Sequence, residues 1–215
     1  KVINRKQTMK KLLCVAAIGL ALTTTYAMAK DSRELNHNFA VNSASQLDID
    51  FPVGSLEVES YDGSEVVVTV RIEPKNDNSW FSSDVDLSDI ELSHSQSASS
   101  LSLKLDNDDI QQNWHVKMPK SMAIDVELGV GDIEINDASN SVEIELGVGA
   151  VRIDSALDDY KRIELDTGVG DTKIRGLKND GNTSRKVVSS HSSYRGNGQY
   201  DIEVEVGVGD IKVTN

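Results

Sequence analysis

The stretch IDVELGVGDIEIND, residues 124–137, decides the fold of this 215-residue chain. Apolar side chains alternate with charged ones on both sides of Gly-Val-Gly-Asp, and a period of two places the apolar set on one face of a β-strand. The parity of the alternation slips at Gly131 and Asp132. We therefore predict two inward-facing strand segments joined by a bend, where glycine accepts a positive φ and carries no Cβ.

The same unit recurs along the chain. Three further copies carry their first glycine at Gly147, Gly168 and Gly207, and an earlier, degenerate copy has Pro52 in place of the first glycine. The first glycines of the four full copies are 18, 21 and 39 residues apart, a step of about 20 residues that is typical of solenoid coils. The glycines assigned to the structural bends are Gly54, Gly129, Gly131, Gly147, Gly149, Gly168, Gly170, Gly207 and Gly209.

These copies predict an all-β fold of one domain, a solenoid-like stack of short strands with a repeat of 18–21 residues. The rival fold is a β-sandwich of regular hairpins, but a bend that recurs at one position of each copy favours the solenoid. The alternation before each bend also assigns the valine between the glycines to the inward face. Pro52 cannot donate to a strand ladder, so its copy is predicted at a sheet edge. Residues 179–198, rich in Ser, Asn and Gly, are predicted to be irregular.

The first 29 residues have the pattern of a secretory signal peptide preceded by an eight-residue extension. Lys10 and Lys11 precede a short apolar run, and cleavage is predicted after Ala29. Cys14, the only cysteine, would be removed with the leader, so the mature domain over 30–215 would have no disulfide or thiolate. No second long apolar run follows. The predicted location is the periplasm, with the cell surface or secretion as alternatives.

The charge of the chain excludes whole classes of partner. The net charge is −13, and every acidic residue lies beyond the predicted leader. Nucleic acids and anionic lipid surfaces attract basic patches, so neither is an expected partner. The partner class that remains is an envelope protein or a polysaccharide.

The repeated motif also resembles a known family. The run at 124–137, the closing YDIEVEVGVGDIKV at 200–213 and FPVGSLEVESYDGSEVVVTV at 51–70 are similar to the bacterial Toastrack domain, also called the putative-adhesin family. The resemblance covers most of residues 40–215. It implies a repetitive, solenoid-like β domain exposed in the cell envelope, with no catalytic residues to carry over. The chain departs from the motif at Pro52 and at Ala150, where the other full copies have aspartate.

The outward positions before each bend are nearly all acidic. One residue of each copy forms what we call the acidic stripe: Asp50, Glu127, Glu145, Asp166 and Glu205. Stacked strands would align these side chains about 4.8 Å apart. Such a row is either a solvated face that keeps the protein soluble or a docking surface for a basic partner or divalent cations. Beyond the bend, the outward column of Glu134, Arg152, Lys173 and Lys212 is largely basic.

Other chemistry receives little support from the sequence. Calcium binding by Asp132, Asp171 and Asp210 is the only cofactor alternative, against a role in hydrogen-bonding the local turn backbone. The acidic stripe supplies carboxylate pairs of the kind glycosidases use, but not one distinctive acid. Trp80 and Phe81, in a polar stretch, are candidate contact aromatics.

The sequence thus predicts a non-enzymatic, exported envelope protein that acts as a binding, adhesin-like or scaffold domain. The alternatives are an accessory to a membrane regulator of envelope stress and, with less support, a glycan-active enzyme.

Overall fold

The computed structural model describes residues 32–41, 44–75, 85–178, 181–185 and 188–215. The predicted leader over 1–29 and the aromatic pair Trp80 and Phe81 lie outside these residues. Within the described ranges there is no helix with the length and apolarity needed to cross a membrane.

Fourteen strands of the described residues form one continuous hydrogen-bonded sheet. Their bounds are β1 Arg33–Ala40, β2 Gln46–Tyr61, β3 Glu65–Pro74, β4 Ser93–Gln96, β5 Ser100–Lys104, β6 Ile110–Pro119, β7 Ala123–Ala138, β8 Val142–Ser155, β9 Arg162–Val169, β10 Thr172–Arg175, β11 Asn182–Arg185, β12 Ser190–Arg195, β13 Asp201–Val208 and β14 Ile211–Thr214. The all-β prediction is confirmed, and the single sheet replaces the rival sandwich of separate hairpins.

Each copy of the motif forms one bent rung of a parallel stack. The first three rungs are the long strands β2, β7 and β8, which run through the bend without interruption. The other two are the strand pairs β13–β14 and β9–β10, which are divided at the bend. Neighbouring rungs pair in parallel and in register on both sides of the bend. The predicted solenoid-like stacking is confirmed.

The order of the rungs in space differs from their order in the chain. The last copy, β13–β14, lies between β8 and β9–β10, and so separates the second and third full copies of the motif. All copies carry nearly the same apolar pattern, so any two of them can pair with their side chains in phase. The periodicity of the chain therefore predicts that the rungs stack, but not the order in which they stack.

Pro52 does not lie at a sheet edge, contrary to prediction. Strand β2 is paired on both sides, with β7 along most of its length and with β5 and then β6 on the opposite side. The β5 ladder ends at Asp50 and the β6 ladder begins at Gly54. Pro52 falls in the interval between them, so its missing N–H interrupts neither ladder.

Close contact between rungs explains the two glycines of the motif. Gly149 has φ +148°, and a Cβ built on it would lie 1.6 Å from the carbonyl oxygen of Gly131 on the neighbouring rung. A Cβ on the first glycine, Gly147, would lie 2.4 Å from the carbonyl oxygen of Gly129. The second glycine thus needs both a positive φ and the absence of a side chain, whereas the first needs only the space.

The core lies on the inner side of the bent sheet. Apolar side chains from before and after the bend join one buried cluster; on β7 these are Ile124, Val126, Leu128, Ile133 and Ile135. The valines between the glycines were predicted to belong to this face, and that prediction is wrong. Exposure is 48% for Val130 and Val169 and 47% for Val148 and Val208. The bend of each rung lies at the Gly-Val-Gly segment, and there both glycines and the valine lie on the outer side.

The far end of the stack is covered by strands that the sequence did not predict. Within residues 179–198, expected to be irregular, β12 pairs with β9 and β11 pairs with β12. Their buried contacts are polar: the Thr172 hydroxyl lies 2.8 Å from that of Ser190 and 2.7 Å from that of Ser192. Because these inward positions carry hydroxyl groups, the apolar alternation that marks the other strands is absent here.

Candidate functional site

The bent rungs bring the acidic stripe together on the outer face of the sheet, just before the bend. In spatial order its members are Asp50, Glu127, Glu145, Glu205 and Asp166, each paired in register with the next. Neighbouring parallel strands are about 4.8 Å apart, so the five carboxylates span roughly 19 Å. Because β13 lies between β8 and β9, Glu205 lies between Glu145 and Asp166. A second acidic column runs beside it: Asp48, Asp125, Glu143, Glu203 and Glu164.

At each end of the acidic stripe, the terminal carboxylate contacts a lysine or histidine side chain from a neighbouring strand. Lys104 Nζ lies 2.6 Å from Asp50 Oδ2, and this hydrogen bond raises the pKa of the lysine. At the other end, His191 Nδ1 lies 2.8 Å from Asp166 Oδ1. Within the part of the chain that is described, no cation lies within 4.0 Å of the three middle carboxylates, Glu127, Glu145 and Glu205. The centre of the stripe therefore has no ion pair, and in that sense we call it uncompensated; beyond ion-pair distance, the charge of Lys104 still acts on Glu127.

Four members of the acidic stripe, all except Asp50, line an open groove along the bend with a volume of about 630 Å³. Its floor consists of the first glycines of four rungs. These are Gly129, Gly147, Gly207 and Gly168. Their lack of side chains leaves the backbone accessible beside the carboxylates. The exposed valines of the same four rungs follow the glycines in sequence, so a row of apolar side chains borders the charged groove.

Asp125, in the second acidic column, is a partly buried carboxyl with acidic side chains on both neighbouring rungs. Partial burial raises the pKa of this carboxyl, and the charges of Glu143 and Asp48 raise it further. A carboxyl whose pKa is higher in the folded state favours folding when protonated, and this contribution is lost as the pH rises from the unfolded pKa through the folded pKa. At neutral pH the ionised group therefore opposes folding.

Among the described residues, the ion pairs of the second column lie on β13 and β9, which are neighbours at the far end of the stack. There Arg162 lies 3.1 Å from Glu203 and 3.3 Å from Glu164. This arginine is itself part of a rung, which distinguishes the second column from the uncompensated centre of the acidic stripe.

The motif aspartates connect one rung to the next. Asp132 Oδ1 accepts a hydrogen bond from the backbone N–H of Ala150 at 3.1 Å, and Asp210 Oδ1 accepts one from the N–H of Asp171 at 2.8 Å. Asp171 in turn lies 2.6 Å from Arg185 Nη1. The expected hydrogen bonds thus run between rungs and not within a turn. Across the described ranges, no group of three or more His, Cys, Asp or Glu side chains could hold a metal ion.

The outward column beyond the bend changes sign along the stack. Glu57 and Glu134 occupy the first two rungs, and three cations follow on the next three: Arg152, Lys212 and Lys173. We call these three cations the basic row. The sequence predicted the grouping of Glu134 with the three cations but not the order, since Lys212 lies between Arg152 and Lys173.

Two features of the site were not predicted from the sequence. The valine row was assigned to the core because valine continued the alternation through the bend. Lys104 and His191, which contact the ends of the stripe, lie on β5 and β12, outside the repeated motif, so no periodic signal pointed to them. Trp80 and Phe81 remain predicted contact residues outside the described part of the chain.

Comparison with known proteins gives one family match. The family model described as "N-terminal domain of toast_rack, DUF2154" matches residues 26–175. No curated protein is similar enough to count as a match.

Two solved structures resemble the chain. One is a putative cell adhesion protein from Clostridium sporogenes, with 16% sequence identity and a TM-score of 0.52 over 86% of this chain and 99% of that one. The other is a putative adhesin from Bacteroides fragilis, with 11% identity and a TM-score of 0.32 over 86% of this chain and 98% of that one. At such identities, the first structure supports the fold alone.

Proposed function

The chain belongs to the Toastrack family through its match to the N-terminal toast_rack domain, and from that premise we propose that it is a non-enzymatic, adhesin-like binding module of the cell envelope. The domain over 30–215 would follow a cleaved leader and act in the periplasm or at the cell surface. Its binding surface would be the groove along the acidic stripe, and its partner a basic envelope protein or a polysaccharide with cationic groups. The name of the Clostridium sporogenes neighbour agrees with an adhesive role.

The observation that carries this proposal is the uncompensated centre of the acidic stripe. Like charges directly opposite each other on adjacent strands are destabilising. In the next column the pKa of Asp125 is raised by partial burial and, in addition, by its acidic neighbours Glu143 and Asp48. Among the described residues, Lys104 and His191 lie within ion-pair distance of the two end carboxylates and of no other member of the stripe. A row of charges that opposes folding is expected where function requires it. The exposed glycine floor and valine row add backbone and apolar contacts for a ligand lying along the groove.

Binding to isolated cell envelopes tests the proposal. The purified protein is compared with a variant in which Glu127, Glu145 and Glu205 become Gln and Asp166 becomes Asn. We expect the variant to bind at least about tenfold more weakly, equivalent to about 1.4 kcal/mol, because it loses the charges that attract the partner. Binding of the parent should also weaken as salt screens the stripe.

A matched control has the same change of net charge away from the groove. Glu34 and Glu134 become Gln, and Asp89 and Asp158 become Asn; all four side chains are exposed. This control should bind like the parent. Equal binding by the parent and the stripe variant would refute a role for the stripe. Release of reducing ends from any polysaccharide by the parent would refute the non-enzymatic role.

A further inference from the structure

The basic row lies on the same three rungs as three of the five members of the acidic stripe. Strand β8 carries Glu145 before the bend and Arg152 after it. The next rung carries Glu205 and Lys212, and the last rung carries Asp166 and Lys173. Each rung thus presents a carboxylate on one outer face and a cation on the other. Both rows have the spacing of the same parallel strands, about 4.8 Å.

The basic row has no ion-pair partner within the described ranges. Arg152, Lys212 and Lys173 are all exposed. Four carboxylates flank the row, and three of them are engaged elsewhere: Asp171 pairs with Arg185, Asp210 accepts the Asp171 N–H, and Asp154 accepts the Thr214 hydroxyl. The fourth, Glu134, is in register with Arg152 on the neighbouring strand, but the two charged groups do not come within the 4.0 Å of an ion pair. The cations are left to face solvent on an unpartnered sheet face.

We propose that this face binds a second copy of the same chain, with the basic row of one copy against the acidic stripe of the next. The proposal rests on the role of the stripe as a contact surface in the proposed function. Equal spacing lets three cations face three carboxylates when the two stacks lie side by side. The acidic stripe of a second copy supplies the row of carboxylates that the basic row needs, so no other acidic partner has to be assumed.

The geometry of this contact is head-to-tail. The two rows are different surfaces of one molecule, so a copy bound through its basic row still offers its own free stripe. Such heterologous contacts form rings or open filaments according to whether the rotation between copies closes. The net charge of −13 opposes association, so we expect a weak assembly that depends on protein concentration and dissociates in salt.

Sedimentation velocity over a range of protein concentrations tests the proposal with two variants. The first changes Glu145 and Glu205 to Gln and Asp166 to Asn; the second changes Arg152, Lys212 and Lys173 to Gln. The parent should show mass that rises with concentration at low ionic strength. Each variant alone should remain monomeric.

Mixing the two variants gives the decisive result. The first variant keeps its basic row and the second keeps its stripe, so an equimolar mixture should form dimers and nothing larger. A control with Lys117, Lys161 and Lys178 changed to Gln, all exposed lysines outside the row, should associate like the parent. A parent that stays monomeric, or variants that associate unchanged, would overturn the proposal. So would binding of polygalacturonate, used as a probe polyanion, through the basic row of a monomeric parent.

The same variants separate this inference from the proposed function. The variant without the basic row retains the whole acidic stripe, so it should still bind isolated envelopes. Envelope binding without self-association would leave the proposed function standing and remove only the inference.

Discussion

Replacement of Gly131 by valine is expected to lower the free energy of unfolding by about 4 kcal/mol or more, the sum of two separate costs. Gly131 has φ +154°, a conformation that costs a non-glycine residue about 1–3 kcal/mol. Its Cβ would also lie 1.7 Å from the carbonyl oxygen of Gly54, which belongs to the backbone of the neighbouring rung and cannot rotate away. The rungs would therefore have to separate at the bend.

Thermal unfolding followed by circular dichroism provides the measurement. A domain of this size loses about 2–4 °C per kcal/mol, so the melting temperature should fall by about 10 °C or more, or the variant should fail to fold. Gly170→Val, on the last rung, should also be strongly destabilising, because Gly170 has φ +149°. The control is Val130→Thr, a change of similar volume at a residue 48% exposed, which should cost less than about 0.5 kcal/mol. Unchanged melting temperatures for both glycine variants would refute the account of the bend.

The second large effect is expected at Gln112, a polar side chain that is fully buried in β6. Its amide donates to the carbonyl oxygen of Leu105 at 2.9 Å and accepts from Trp114 Nε1 at 3.1 Å. Gln112→Ala would leave both partners buried without a hydrogen bond, at a cost of about 1–3 kcal/mol each. We expect a loss of about 3 kcal/mol in the free energy of unfolding, measured by denaturant titration.

The neighbouring glutamine supplies the control for this prediction. Gln111 lies on the same strand with its side chain exposed. Gln111→Ala should therefore change the free energy of unfolding by less than about 0.5 kcal/mol. Similar losses for the two variants would mean that the buried hydrogen bonds of Gln112 contribute little.

The repeat allowed much of this fold to be predicted. Alternation of period two, with a parity slip at a glycine, is a local property, and it correctly indicated bent strands such as β7 and β8. Glycine at the bend was also predictable, since few other residues tolerate a positive φ. The acidic stripe followed from the same alternation, because stacking in register aligns equivalent positions.

The features that were missed depend on long-range contacts or on residues that break the pattern. Nothing in the local sequence indicates that β13–β14 lies between β8 and β9–β10. Each rung has the same apolar pattern and can therefore pair in phase with any other rung. Val130 continued the alternation but lies on the outside of a corner. Gln112 occupies an inward position with a polar side chain, and its burial becomes intelligible only with Trp114 and Leu105 beside it.

Both proposals depend on the acidic stripe being one continuous row in which Glu205 lies next to Glu145. Disulfide formation between paired cysteines tests this order most directly, in a background where Cys14 is changed to Ser. Adjacent parallel strands place equivalent Cα atoms about 4.8 Å apart, within the range of about 4.4–6.8 Å that a disulfide spans. Rungs two steps apart are about 9.6 Å apart, which is too far.

The measurement compares two double variants in dilute solution under a mild oxidant, with free thiols counted by mass spectrometry. We expect Glu145→Cys with Glu205→Cys to form an intramolecular disulfide, whereas Glu145→Cys with Asp166→Cys should keep both thiols. Efficient closure of the second pair, with free thiols in the first, would show that the rungs stack in chain order and would contradict the account.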